Sequence, residues 1–434
     1  MGLSALVTFS VACLAAVVRI SIVLISGLFG EFKKGSRMSE RMDSKIPMRA
    51  LLAGARRKQP ILIAFTRQLV LAESPSDDKA AVDACLALAA ARGSQLGARV
   101  KIHRNPNFGN ALELRFGPRK STPPAAKPIL LLGHLDTVWP LGSLKSMPCR
   151  LSAGRLWGPG TLDMKAGVAM AFTAIEMLIE ADLLRREIIL LLNGDEEIGS
   201  TASRPITEAL AKTCSAVYVL EPAQGLAYKT ARKGIGNWRI DVKGIAAHAG
   251  VDFEKGANAI RELARVIETV SVWTNLSRGL TVSVGVAGGG TKTNVIPAHA
   301  WAEVEARIVR RADGPRFERK FAAIKPVDPR CTVTVAGGIN RPPMERRPGT
   351  VRLFRTAQAL ARELGFTLNE ASTGGGSDGN FTAALGIPTL DGMGAVGEGA
   401  HARHESVLVE HLAPRTALLA AMLASWPAHS SPQS

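Results

Sequence analysis

Seven residues carry the chemistry this chain can offer. They are His134 and Asp136 in Gly133-His134-Leu135-Asp136-Thr137-Val138, Asp163 in Gly160-Thr161-Leu162-Asp163-Met164-Lys165, Glu196 and Glu197 in Asp195-Glu196-Glu197-Ile198-Gly199-Ser200, Glu221 in Leu220-Glu221-Pro222, and His401 in Ala400-His401-Ala402-Arg403-His404-Glu405. Consecutive carboxylates at 195–197 repel one another at neutral pH, and a bound cation or a raised pKa is the usual relief. Two imidazoles with several carboxylates, one of them shared, suit a pair of zinc ions, each needing about four N/O ligands with room for water. Singly, each residue has a plainer reading, such as a solvated acidic turn for 195–197 or a satisfied core histidine for His134. Their joint placement outweighs it.

That placement is the work of the elements. The apolar runs 129–132, 188–192 and 216–220 read as buried strands, each feeding directly into one of the acidic motifs. In a parallel sheet all carboxyl ends share one rim, where open α/β sheets bind ligands. Asp163 follows a glycine-rich turn at the mouth of a helix over 168–179. Strands alternating with helices at this spacing predict an α/β fold, a doubly wound and mostly parallel sheet.

The remaining segments extend the same reading. Residues 49–92 are helical around a break at Ser74-Pro75-Ser76-Asp77, which caps the second helix, and 99–103 with 111–116 form a hairpin. A Pro/Lys/Ser-rich loop covers 120–128. After Tyr228 the order becomes strand, helix, strand, strand, helix, strand, which predicts an inserted α+β domain over 232–340 with an antiparallel four-stranded sheet and two helices. The catalytic domain is then 48–231 with 341–434, closed by a helix over 351–364, a glycine-rich loop at 373–379, a strand at 388–390 and a final helix after Pro414.

Composition narrows the function. A net charge of +17 could suit nucleic acid, yet the basic residues are dispersed and only 5% of residues are aromatic, so no nucleic-acid partner is expected. Five scattered cysteines with no CxxC pair argue against both a disulfide framework and a thiolate metal site. Residues 3–30 are apolar enough to span a bilayer, and Lys33, Lys34 and Arg37 behind them would keep the globular part cytoplasmic. The competing reading is that translation starts at Met38, Met42 or Met48, so residues 1–47 are either an anchor or a start-site artefact.

The ordered set HLDTV, GxxDMKAG, DEEIGS, LEP and AHxxxE resembles the family of co-catalytic di-zinc peptidases and deacylases that includes glutamate carboxypeptidase (carboxypeptidase G), acetylornithine deacetylase, succinyl-diaminopimelate desuccinylase and aminoacylase. The resemblance runs from about Met48 to the C-terminal helix. It implies that Asp163 bridges two Zn²⁺, that His134 and Glu221 complete one site, that Glu197 and His401 complete the other, and that Asp136 orients His134. Glu196, left without a metal, would take the proton of the attacking water and deliver it to the leaving nitrogen.

Further residues follow from the same resemblance. His248 in the GxxxHAG loop would help hold the oxyanion, in dimeric members from the partner subunit, and Asn294 in NVIP would bind substrate. Arg307 would grip a substrate carboxylate with its guanidinium fork, and Gly375 and Gly376 would line the pocket. The inserted domain would act as lid and dimerisation domain.

Glycines 374–376, the spacing of His248, Asn294 and Arg307, and the segment from Arg341 look closest to glutamate carboxypeptidase. The expected enzyme is therefore a homodimeric, cytoplasmic di-zinc metallopeptidase or amidohydrolase that releases a C-terminal glutamate, or a similar amino acid, from a folate-like, peptide-like or N-acyl substrate with a free carboxylate. An acetylornithine-type N-acyl amino acid deacylase is the alternative enzyme, and a catalytically silent binding or membrane-tethered protein the alternative class. His404 competes with His401, whose spacing to Glu405 favours it. Asp195 has no assigned role.

Overall fold

The computed structural model of the protein describes residues 46–118 and 126–425. The apolar segment 3–30, its basic flank, Met38 and Met42 lie outside them, as does most of the loop at 120–128, whereas Met48 is described and opens the first helix. Among the described residues no helix is long and apolar enough to cross a membrane.

Six strands form the main sheet. Ile129–His134 lies near its centre, parallel to Ile188–Asn193 on one side and to Ala216–Val219 on the other. Thr389–Leu390 extends the parallel part beyond Ala216–Val219, while Ala111–Phe116 and Arg99–His103 add an antiparallel edge beyond Ile188–Asn193. Every residue of the two long parallel strands is buried, which is why both read as continuous apolar runs. Helices Met48–Leu71, Ala166–Glu180 and Leu412–Ser425 pack in one core, and Arg204–Thr213 contributes Ala211 to the core of the opposite face. The expected doubly wound sheet is present.

Two local readings need correction. The helix Lys79–Gln95 is capped by Asp78, whose carboxylate accepts from Ala81 N at 3.0 Å, one residue beyond the Ser/Asp cluster expected to do so. The cluster instead serves the site, as described below. Ala227–Arg232 is also a strand, parallel to Asn369–Thr373. Its Tyr-Lys-Thr-Ala-Arg run lacks the apolar signature of the other strands.

A second sheet of four antiparallel strands occupies residues 234–341. Its order is Thr281–Gly289, His299–Ile308, Gly234–Lys243, Thr332–Arg341. Gly234–Lys243 and His299–Ile308 alternate buried and open positions, and the buried side chains pack with helices Ala259–Ser271 and Asp313–Ala322. Trp238 stacks on Phe321 at 4.0 Å there. Where the chain enters and leaves this sheet, the buried Asn380 amide donates to Lys233 O at 3.1 Å and to Pro342 O at 2.8 Å, fastening the two connections together.

Candidate active site

The carboxyl end of Ile129–His134 delivers the first imidazole. His134 Nδ1 lies 3.0 Å from Asp136 O, and because a carbonyl only accepts, Nδ1 carries a proton and Nε2 is the nitrogen turned to the site carboxylates. Nε2 is 3.3 Å from Asp163 Oδ1 and 3.6 Å from Glu221 Oε1. The second imidazole arrives from the far end of the chain. His401 Nε2 is 3.4 Å from Asp163 Oδ2 and 3.1 Å from Glu197 Oε1. Asp163 therefore turns one oxygen to each histidine.

Electrostatics sharpen that arrangement. Burial alone would lower the basicity of His134, but its contacts with Asp136, Asp163 and Glu221 hold it well above the usual imidazole range. His401, beside Asp163 and Glu197, is pushed up to about 10. Burial would raise Asp163, yet the two histidines keep it far below the ordinary carboxylate range, while burial wins at Glu196 and Glu197 and raises both.

The donor set fits divalent metal. His134 Nε2 and Asp163 Oδ1 are buried, face each other, and have no hydrogen-bond partner among the described residues. Ligand atoms of His134, Asp163 and Glu197 lie within 4.8 Å of one another, as do those of His134, Glu196 and Glu221. Imidazole nitrogens and carboxylate oxygens at this spacing around an orphaned pair form a cradle for cations of the zinc class.

Several holding residues were not foreseen. Glu405, buried, accepts from Gly160 N (2.9 Å), Leu162 N (2.8 Å), Asp163 N (3.1 Å) and Trp139 Nε1 (2.8 Å), so it fixes the loop that carries Asp163. Asp136 does more than orient His134, since its oxygens accept from Glu196 N at 3.1 Å, Glu197 N at 3.0 Å and Ser76 Oγ at 2.7 Å. That contact explains the Ser/Asp cluster near the first helix break. Asp195 accepts from Ala202 N and Ser203 N just before the helix Arg204–Thr213, which gives it a turn-closing role. His404 is exposed and makes no ion pair with the site carboxylates.

A cleft of about 580 Å³ opens beside the acidic cluster, lined by Glu196, Glu197, Arg307, Arg341, Gly375, Gly376 and His401 among others. Arg307 reaches it from the second sheet, but its fork is already filled: Nε and Nη2 donate to Glu305 at 2.7 and 2.8 Å, and Nη1 donates to Gly374 O at 3.1 Å. Gly375 and Gly376 offer their carbonyls to Arg232 Nη1, at 3.3 and 3.0 Å. His248 and Asn294 are not brought into this cleft. His248 pairs with Val295 across the short strands Ala247–His248 and Val295–Ile296, and Asn294, in the turn just before the second, accepts from Ala249 N through its carbonyl at 3.0 Å.

Comparison with known proteins identifies a family and a fold. The profile of Peptidase family M20/M25/M40 matches residues 130–425, more than half of the chain. Carboxypeptidase G2 of Pseudomonas sp. (strain RS-16) is 28% identical over 410 residues, covering 90% of this chain and 94% of that protein. Succinyl-diaminopimelate desuccinylase of Acidovorax ebreus (strain TPSY) is 27% identical over 379 residues, covering 81% and 94%. Among solved structures, a dinuclear metal-binding peptidase of Bacillus subtilis superposes with a TM-score of 0.61 at 16% identity, covering 85% of this chain and 98% of that one.

Proposed function

The chain belongs to peptidase family M20/M25/M40 and is a hydrolase, and within that family we propose that it is a di-zinc amidohydrolase acting on an N-acyl amino acid with a free carboxylate, glutamate carboxypeptidase-like in its specificity. The observation that carries this reading is Asp163, with one oxygen toward His134 and the other toward His401, beside a Glu196 carboxylate open to the cleft.

His134, Asp163 and Glu221 would hold one ion, and Asp163, Glu197 and His401 the other. Bound there, two Zn²⁺ would supply Lewis acidity to the scissile carbonyl and lower the pKa of water toward about 7. Glu196 takes the proton from the attacking water and returns it to the amide nitrogen as the C–N bond breaks. Its raised proton affinity, set by burial, suits both halves of that transfer. Asp136 keeps Glu196 and Glu197 apart in role by fixing both of their backbone amides. Arg307, once exchanged from Glu305 to substrate, binds the free carboxylate through both oxygens. His248 and Asn294 would complete a site on a partner copy of the chain, in keeping with a homodimer.

A second enzymatic reading has one observation in its favour. Glu305 lines the cleft and holds Arg307, which places a carboxylate where a cationic amino-acid side chain, as in N-acetylornithine, would pair. Turnover of the zinc-loaded protein on folyl-glutamate, small N-acyl-glutamates, N-acetylornithine and dipeptides separates the two. Preference for the glutamates supports the carboxypeptidase reading, preference for ornithine supports the deacylase, and cleavage of none by fully loaded protein contradicts both.

A further inference from the structure

The cleft contains an arginine that neither the motif set nor the proposed chemistry assigns. Arg341 ends the strand Thr332–Arg341 at the point where the chain leaves the four-stranded sheet. It is 4% exposed, lies over the Phe381 ring at 4.8 Å, and its guanidinium is shared between two sets of partners. Nη1 pairs with Asp378 Oδ1 at 2.7 Å. Nη2 pairs with Glu196 Oε1 at 2.9 Å and also donates to Glu196 O at 3.0 Å and Ser200 Oγ at 2.9 Å. Asp378 is itself held by Asn193 Nδ2 at 2.6 Å and by the Ser200 hydroxyl. Both ends of the bridge are therefore braced.

The need for such a brace follows from Glu196's neighbours. An oxygen of Glu196 lies within 4.8 Å of ligand atoms of both His134 and Glu221, close enough for it to join that trio as a metal ligand. Glu197, the next residue, already points at His401. Chemistry offers nothing to stop Glu196 from doing likewise, because a carboxylate next to a divalent cation gains more by coordinating than by waiting as a base. A guanidinium on one of its oxygens changes that balance, and Arg341 is the ion-pair partner of the Glu196 carboxylate among the described residues. Oε1 is tied to Arg341, and Oε2 stands outside that ion pair.

We propose that Arg341 is a positioning residue that keeps Glu196 off the metals and available as the general base. Because Arg341 stands at the crossing between the two sheets, the brace also ties the base to the orientation of the lid. Asn380 fastens that crossing, and Gly234 packs against Pro343 and Arg341 O so closely that a Cβ there would lie 2.7 and 2.8 Å from them. The proposal rests on Glu196 being the base, and its test is chosen to separate the two.

Arg341→Met removes the fork and Arg341→Lys keeps a charge that can serve only one of the two sides. For each zinc-loaded variant, kcat and KM are measured on the best substrate of the panel, and the cobalt-substituted form is examined by visible absorption. Arg341→Met is expected to lower kcat by roughly a hundredfold with KM little changed, and to weaken the cobalt bands as Glu196 adds a ligand. Arg341→Lys is expected to fall between it and the parent. In a Glu196→Ala background, Arg341→Met should cost little more. Parental cobalt bands in both variants overturn the proposal, as does a rise in KM at constant kcat, which would make Arg341 a substrate grip. If Arg341→Met does not fold, Arg341→Lys decides by the same readings. The cobalt spectrum reads the position of Glu196 without turnover, so a parent inactive on every substrate would count against the enzymatic reading while the spectrum still decides on the brace.

Discussion

Glu405 shows how much of the centre is held by residues that never touch a metal. Four donors converge on its carboxylate, three of them backbone N–H groups of the loop leading into Asp163. Glu405→Gln keeps the size but turns one acceptor oxygen into a donor facing donors, so metal affinity, read by chelator competition, is expected to fall about 10- to 100-fold. His404→Ala, at an exposed position, should leave it at the parental value. A second expectation concerns protons. In metal-free protein His134 and His401 hold theirs through neutral pH, the latter with a pKa pushed up to about 10. Raised histidine pKa values stabilise the protonated, metal-free centre fully below about pH 6.5, and that stabilisation is lost as pH climbs through the raised values. Metal competes for the same atoms, so its affinity should rise with pH across this window, and binding near pH 7 should release protons. Calorimetry in two buffers of different ionisation enthalpy reads this as a buffer-dependent heat; equal heats would contradict it.

At the scale of elements, the glycine-rich loop after Asn369–Thr373 links what the motifs describe separately. Ser377 Oγ donates to Asp391 at 2.5 Å, Asp391 takes the Arg232 fork at 2.6 and 2.8 Å, and Arg232 Nη2 reaches Glu221 Oε2 at 3.4 Å. The next residue, Asp378, holds Arg341. A Cβ on Gly376 would meet Ile235 Cδ1 at 2.6 Å and Arg341 Cδ at 2.9 Å, whereas one on Gly374 would meet nothing within 4 Å. Gly376→Ala is therefore expected to cost about 1–3 kcal/mol of stability and to lower kcat, while Gly374→Ala is neutral by thermal unfolding and by rate. At the sheet edge, burial would raise the Glu113 carboxyl, but His103 and Arg115 hold it below its ordinary value. A depressed carboxylate contributes stability above its unfolded pKa and loses it as pH falls through the folded one. Glu113→Gln should thus destabilise by about 1 kcal/mol near pH 7 and by less in acid, measured by urea unfolding at both pH values.

The sheet itself was legible because strands buried on both faces must be apolar throughout, and the three that were read run straight into the chemistry. The motifs that meet at the candidate site were legible because each sits on one short segment. Arg341, Arg232 and Glu405 were not, since their partners lie across the fold and no local period marks them. Arg341-Pro342-Pro343 looked like a boundary, and the last strand of the four-stranded sheet ends at Arg341; its charge was invisible in that role. Arg307 was found, but Glu305, two residues away on the same face of its strand, was not weighed, and it occupies the fork.

Taken whole, the molecule gathers its histidine and carboxylate cluster at the rim of the main sheet, and another histidine, His248, is exposed on the separate short ladder Ala247–His248 with Val295–Ile296 and is absent from the lining of the cleft. A homodimer in which each copy lends His248 to its partner would reconcile the two. Mixing His248→Ala chains with Glu196→Ala chains should then restore part of the activity that neither has alone; no recovery after subunit exchange would argue against the shared site. The basic excess of +17 is not needed for this arrangement, which asks for only one guanidinium to serve a substrate carboxylate. The most direct measurement is metal content and turnover taken together on parent and Glu196→Ala. Both are expected to carry two zinc ions per chain, with kcat reduced by roughly 10²–10⁴-fold in the variant. A Glu196→Ala protein that hydrolyses substrate at the parental rate, or a parent that binds no metal, would contradict the assignment of this centre.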